Sequence, residues 1–516
     1  MSDEVELPPP VRRFLDRGEG SLLLAPDSPP GRYPRVAVVG APRSVAMPAG
    51  LQSRVIGLHG GSGAVTLVPR PGWPVLLELR SRRAGGGWWT VLRFDAPVDV
   101  AAVVAEVGRQ SVWGDRLGDR GLRVGGSTDP DSPVPADVVS LGPGPDGIGP
   151  FDERLLNPTG FTPTADGPAV DVATLPSVTP EVVAGLRGTS VVRVPDWTSA
   201  ATTAAAALAM AGVPVVADSA PDVLGAPLCD AITAPLDPAD PVAREERSVL
   251  LRRAAFDRFS TLAWRAEVGR RLGVPVATHP SVSILLATRR EDMLDFALAQ
   301  VARQRGVEQL ELVLAPHGFE VEVARVQDAV GPDISVQVLP HRSTTRFGDV
   351  LQAASRAAQG DVLLKMDDDD WYAPDVVADL LRARAWSGAE LVGMPAELHY
   401  LAERDLTVKR GHPVELYAQF VAGGTMLVDR TALREAGGFR AVRKWVDAQL
   451  IEALQDMGAA TYRTHGLGYV LRRNPTGHTW QADLDYLLDP VRTVATWEGF
   501  RPSRLLEADP RWAPRL

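Results

Sequence analysis

The sequence predicts an α/β protein whose C-terminal half folds around a mostly parallel, Rossmann-like sheet with helices on both faces. Four runs of largely branched apolar residues, Val282–Thr288, Leu310–Ala315, Ile334–Leu339 and Asp361–Met366, are interleaved with helical patterns at Met293–Arg305 and Phe347–Gln359. Strand–helix alternation of this kind requires crossover connections, which place helices over a parallel sheet. The fourth run ends in four consecutive carboxylates, Asp367-Asp368-Asp369-Asp370. Open parallel sheets bind their ligands beyond such strand ends.

A chain of 516 residues exceeds one hydrophobic core, so two or three domains are expected. Residues 1–125 read as a β-rich α+β domain, with strand-like runs at Val36–Val39, Val65–Val68, Val75–Leu79 and Trp88–Phe94 and a helical pattern at Val98–Val107. Residues 126–167, dense in Gly, Pro, Asp and Ser, read as a linker. Residues 168–275 form a small α/β accessory region: strand Val191–Val194, small-residue helix Ser199–Ala211, strand Val213–Val216, then a charged pair of helices within Arg244–Leu272. The catalytic candidate spans 276–500, and 501–516 is a tail.

A net charge of -10 argues against general nucleic-acid binding, because no excess of cations exists to neutralise phosphates. Cys229 is the single cysteine, which excludes an intrachain disulfide and a zinc site of several thiolates. The acidic, Pro-rich start Met1–Pro10 has no apolar signal core, and the apolar stretch Ala200–Val216 is broken by Gly212 and Pro214. A soluble, cytoplasmic protein with at most peripheral membrane contact is expected.

Four adjacent carboxylates repel one another unless a cation neutralises them. In an extended segment alternate side chains share a face, so Asp367 and Asp369 are expected to address one point. Hard oxygen ligands at that spacing suit Mg²⁺ or Mn²⁺ shared with substrate phosphates. The competing reading is a solvated acidic loop capping the helix that begins near Pro374-Asp375.

The stretches Val282–Thr288, Gly360–Pro374 and Gly423–Phe439 together resemble the GT-A fold of glycosyltransferase family 2, with its Asp-x-Asp motif, over about Pro280 to Trp480. The resemblance implies an inverting transfer from a nucleotide-diphosphate sugar, most commonly a UDP-sugar, to a hydroxyl acceptor. It implies Mn²⁺ or Mg²⁺ held by Asp367 and Asp369, with His478 at the place of a late metal-shell histidine. Asp447, in Lys444–Leu450, stands where the family places its acceptor-activating carboxylate; it is also a candidate N-cap for a helix Ala448–Gln455. The donor is assigned to Ala287, Thr288, Arg289, Gln352, Lys365, Asp367, Asp368, Arg472 and Arg473, the two last as forked diphosphate ligands. Trp371, Gly424, Trp445 and Trp480 are assigned to the acceptor. Three departures stand out: Ala287 replaces a proline, Gln352 replaces a common asparagine, and Ala315-Pro316-His317-Gly318 lacks the aspartate expected to contact the base. Separately, Ala207–Ala217 is similar to a late segment of two-domain, GT-B-type glycosyltransferases, as a remnant would be.

Two other classes compete. A non-catalytic nucleotide-sugar or carbohydrate-binding module accommodates the missing base-contacting aspartate. A metal-dependent nucleotidyltransferase shares the sheet and acidic site, yet usually carries a Gly-rich loop after its first strand, and Thr288–Asp292 contains no glycine.

Overall fold

A computed structural model describes residues 7–17, 19–40, 47–60, 65, 67, 69–70, 72–84, 87–113, 115–117, 122–125, 138–140, 148–156, 167–237, 240–272, 279–473 and 484–514. The chain forms two compact units, residues 1–155 with 261–278, and residues 156–260 with 279–516.

The first unit is built on a five-stranded sheet in the order Leu22–Leu23, Gly31–Val39, Leu51–His59, Gly87–Asp99, Leu76–Ala84. The helix Val100–Trp113 contributes Val103, Val104 and Val107 to a core shared with Val36, Ile56 and Leu92. Strand Leu51–His59 escapes the sequence pattern because Gly57 interrupts its apolar run. That glycine has a packing reason: a Cβ there would lie 2.3 Å from the Trp89 ring. The run Val65–Val68 and the segment 126–167 fall largely outside the described residues, although Val138–Ser140 pairs in parallel with Leu122–Gly125.

The second unit opens with a three-stranded parallel sheet of Ala169–Asp171, Val191–Arg193 and Val215–Val216. Thr198 caps the helix Ser199–Met210 by accepting from Ala201 N at 3.1 Å. The helix Pro241–Phe259 packs against it, with Ser248 Oγ donating to Gly212 O at 2.6 Å.

The main sheet of this unit has eight strands. They are β1 (Val282–Thr288), β2 (Leu310–Pro316), β3 (Ile334–Val338), β4 (Val362–Met366), β5 (Leu391–Gly393), β6 (Leu416–Tyr417), β7 (Leu427–Asp429) and β8 (Thr461–Arg463), in the order β3-β2-β1-β4-β7-β5-β8-β6. The first four are mutually parallel, as predicted, whereas β7 runs antiparallel to β4. Helices α1 (Leu294–Ala302), α2 (Val323–Val330), α3 (Phe347–Ala357), α4 (Val376–Ser387) and α5 (Val446–Asp456) accompany the sheet. Leu285, Val313, Leu363 and Val428 from the strands pack with Val350 and Leu351 of α3 and Leu450 of α5, all at most 2% exposed. Each such side chain contributes roughly 1.5–3 kcal/mol. β4 is therefore fixed on both faces, and so is the point where the aspartates emerge. A second sheet, Trp371–Tyr372, Tyr469–Arg473, Leu398–Leu401, Leu406–Arg410 and Thr493–Glu498, begins directly after them.

A buried ionic seam joins the helix Pro241–Phe259 to this framework. Arg253 donates to both carboxylate oxygens of Asp379 in α4, at 2.8 and 2.6 Å, and to Asp375 at 2.8 Å. His465 and Arg382 also reach Asp379, at 3.0 and 3.2 Å. Lys409 meets Glu245 at 3.0 Å and also pairs with Glu397, while Arg252 pairs with Glu415. Among the described residues no helix is long and apolar enough to cross a membrane.

Candidate active site

β4 ends at Met366, and the chain bends over residues 368–370 instead of continuing extended. The expected alternation is therefore replaced by a different division of the four carboxylates. Asp367 is anchored through its backbone, whose N–H donates to Tyr372 Oη at 2.8 Å; that hydroxyl donates in turn to Gly424 O at 2.9 Å. Asp367 Oδ1 accepts from Lys365 Nζ at 2.7 Å. Lys365, only 4% exposed at its side chain, also lies 3.3 Å from Asp447 Oδ2 and donates to Gly423 O at 3.2 Å. One ammonium thus couples the two acidic groups that the sequence separates by eighty positions. Burial disfavours that charge, but Asp367 and Asp447 beside it hold Lys365 protonated above its ordinary value.

Asp368 and Asp369 share a second cation. Arg290 Nε donates to Asp368 Oδ2 at 3.1 Å, Nη2 also bonds Asp368, and Nη1 reaches Asp369 Oδ2 at 2.8 Å. Thr288 Oγ1 donates to Asp368 and accepts from Arg290 N at 3.0 Å. Asp369 is pushed up by burial, against the pull of Arg290. Asp370 accepts from Tyr469 Oη and from Arg472 N at 2.8 Å, and burial together with Asp369 raises it well above the usual carboxylate range. Asp368, Asp369 and Asp370 are 4–6% exposed, so the solvated-loop reading does not hold.

The cations that neutralise the cluster are thus built in. Both had a sequence signal: Lys365 is two residues before Asp367 on the same strand face, and Arg290 is two beyond the end of β1. Among the described residues no group of three or more His, Cys, Asp or Glu side chains is arranged to hold a metal.

Asp447 lies in the first turn of α5, which begins two residues earlier than expected, so Asp447 is not its N-cap. Its two oxygens differ: Oδ2 faces Lys365, while Oδ1 is buried and accepts no hydrogen bond among the described residues. Burial raises its carboxyl above the ordinary value; Lys365 opposes the shift and Asp367 adds to it. Close packing fixes the group. A Cβ on Gly423 would lie 2.1 Å from Asp447 Oδ2, and one on Gly424 would lie 2.9 Å from Asp367 Oδ2.

Three residues assigned to ligands by resemblance are instead internal. Lys365 is enclosed between carboxylates. Gln352 Oε1 accepts from Phe439 N at 2.7 Å and lies where a Cβ on Gly438 would be, so it holds the Gly437–Phe439 turn. Trp371 is 2% exposed, with Nε1 bonded to Trp512 O at 3.1 Å and its ring against Phe296, Tyr400 and Phe500. The aromatic surround of Trp371 is core packing.

Arg472 is also directed inward, its guanidinium 3.9 Å from the centre of the Trp371 ring. Arg473 follows it, half-buried, with its carbonyl accepting from Ala402 N at 2.9 Å. Ala287 is half-buried opposite Ala315, and Arg289 is exposed, donating to Ser343 O at 2.7 Å. His317, at the place of the missing base-contacting aspartate, is 3% exposed and donates its backbone N–H to Thr288 O at 2.8 Å. Its imidazole is held below its ordinary pKa by burial and by Arg289. Trp445 is 69% exposed and adopts left-handed backbone angles, φ 65° and ψ 23°, a conformation that costs about 1–2 kcal/mol outside glycine. His478 and Trp480 lie outside the described residues.

A mostly parallel sheet, an aspartate run at the end of its central strand and an opposed carboxylate on a helix define a glycosyltransferase domain of GT-A type. Residues 283–448, within the C-terminal half of the chain, match the sequence model of glycosyl transferase family 2. Among solved structures, a mannosyltransferase from Pyrobaculum calidifontis in complex with GDP-Man and Mn²⁺ is similar at 19% identity, over 42% of this chain and 64% of that one, with a TM-score of 0.32. TarS from S. aureus in complex with UDP-GlcNAc is similar at 12% identity, over 40% of this chain and 64% of that one, with a TM-score of 0.31. The chain thus spans less than two thirds of either protein. No curated protein matches it.

Proposed function

We propose that the second unit transfers a sugar from a nucleotide-diphosphate donor to a hydroxyl acceptor by single displacement with inversion, Asp447 acting as general base. The observation that carries this is the asymmetry of Asp447: one oxygen is tied through Lys365 to Asp367, and the other is buried without a partner. An oriented carboxylate with one unpartnered oxygen can take the proton of an attacking hydroxyl that reaches it, and buried unpartnered polar atoms are rare enough to demand a reason. Lys365 keeps the base oriented and favours its charged form. Thr288 and Arg289, at the end of β1, lie where a parallel sheet receives a nucleotide.

A divalent cation, Mn²⁺ or Mg²⁺, fits this donor set. Asp367 Oδ2 accepts no hydrogen bond among the described residues, and Asp369 offers a second hard oxygen once Arg290 yields it. One or two carboxylates completed by substrate phosphates are the usual ligands of such ions. Asp367 and Asp369 would hold the ion, whose chemistry is to stabilise charge on the leaving diphosphate. Arg290 serves as the counter-ion in its absence.

Incubation with UDP- and GDP-sugars and Mn²⁺ is expected to release free nucleoside diphosphate, abolished by EDTA or by Asp369→Ala. Pyrophosphate would indicate nucleotidyl transfer, no product would indicate a binding module, and activity undiminished by EDTA would remove the metal. A separate readout tests Arg290. Arg290→Gln leaves two adjacent buried carboxylates uncompensated, so metal-free stability should fall by about 1–3 kcal/mol. Addition of Mn²⁺ should then raise the melting temperature of the variant more than that of the wild type. An equal rise in both would show that Arg290 and the ion do not share Asp369.

A further inference from the structure

We infer that the acceptor is a negatively charged sugar, gripped by the loop Arg440–Trp445 on the approach to Asp447; this rests on the transfer reading proposed above. The loop is firmly anchored. Gly348 N donates to Val442 O at 2.9 Å, Val442 N donates to Arg440 O at 2.8 Å, and a Cβ on Gly348 would fall 1.8 Å from Arg440 O. Val442 packs into the core below, and Val446 is 3% exposed.

What this fixed base presents outward is three cations and an indole. Some exposed guanidiniums elsewhere in the unit are matched to carboxylates, as Arg325 is to Asp295 at 3.0 Å and Arg346 is to Asp349 at 2.8 Å, whereas others, such as Arg342 and Arg434, make no ion pair among the described residues. Arg440, Arg443 and Lys444 are exposed and make no ion pair or side-chain hydrogen bond among the described residues. In a chain of net charge -10, three unmatched cations within five residues are a local reversal of sign, and such a field recruits anions. Beside them Trp445 is 69% exposed and held in a left-handed conformation. An exposed aromatic kept there against backbone preference points to a functional demand on the side chain, and an indole face suits the apolar face of a sugar ring. The unpartnered oxygen of Asp447, two residues on, then meets the hydroxyl of the sugar so held.

Titration calorimetry of the full chain with galactose and galacturonate, and with glucose and glucose 6-phosphate, tests this. The charged member of each pair is expected to bind about tenfold more tightly at low salt. That preference should disappear at about 1 M NaCl, where the screening length is about 3 Å. The two pairs distinguish a carboxylate from a phosphate as the charge recognised. Arg443→Gln with Lys444→Gln should equalise charged and neutral members. Trp445→Gly should weaken both, with a melting temperature no lower than wild type because glycine accepts the left-handed backbone. Equal affinity of charged and neutral sugars, no binding of either, or a preference that survives the double exchange would overturn the inference. Because these readouts are of binding, nucleoside diphosphate release without charge preference sinks this inference alone. Charge preference without release sinks the transfer reading alone.

Discussion

Asp447→Asn is expected to lower turnover by about 10²–10⁴-fold, the usual worth of a positioned general base, with folding stability unchanged or improved. The two halves have one cause. Burial pushes the Asp447 carboxyl above its ordinary pKa, so the folded state pays to keep it charged, and Oδ1 has no partner to offset this. An isosteric amide removes the charge and supplies a donor for that environment, while Lys365 retains Asp367. Nucleoside diphosphate release and thermal denaturation of the same preparation provide the check. Full turnover in the variant would remove Asp447 from the mechanism, whereas a large drop in melting temperature would reassign it to structure.

The largest stability effect is expected at Asp379→Asn. Asp379 is 4% exposed and accepts from Arg253, Arg382 and His465. Removing its charge leaves Arg253, itself only 13% exposed at the side chain, with Asp375 as its remaining partner. Breaking a buried pair on one side costs about 3–5 kcal/mol, so the variant should unfold at markedly lower urea concentration. Burial alone would raise the Asp379 pKa, but Arg253 and His465 more than reverse that and hold it far below its ordinary value. A depressed carboxyl contributes stability that is complete above the unfolded pKa, near 4, and is lost as pH falls further. Wild-type stability should therefore drop steeply below about pH 4, and the variant should show a shallower acid limb. Identical limbs would mean that the seam does not carry this linkage.

The parallel strands β1, β2 and β4 were legible because each is buried on both faces and so reads as an apolar run bounded by helical periodicity. The later strands were not: β5, β7 and β8 are three residues each, too short to carry a period. Pairing of Asp367 with Asp447 could be suspected only by resemblance, since no local pattern links positions eighty residues apart. The assignment of Trp371 failed for a related reason. An aromatic after an acidic run looks the same in sequence whether its ring faces solvent or, as here, is enclosed by Phe296, Tyr400 and Phe500.

By itself the sequence determined the α/β class of the C-terminal half, the strand that delivers the aspartates and the residue types of the site, because these follow from local periodicity and composition. Only tertiary structure decided which aspartate does what. The bend at residues 368–370, the reach of Lys365 across to Asp447 and the return of Arg290 onto Asp368 and Asp369 divide four like charges between two built-in cations. That division depends on distances between elements far apart in the chain, and electrostatic energy in a low-dielectric interior is set by those distances.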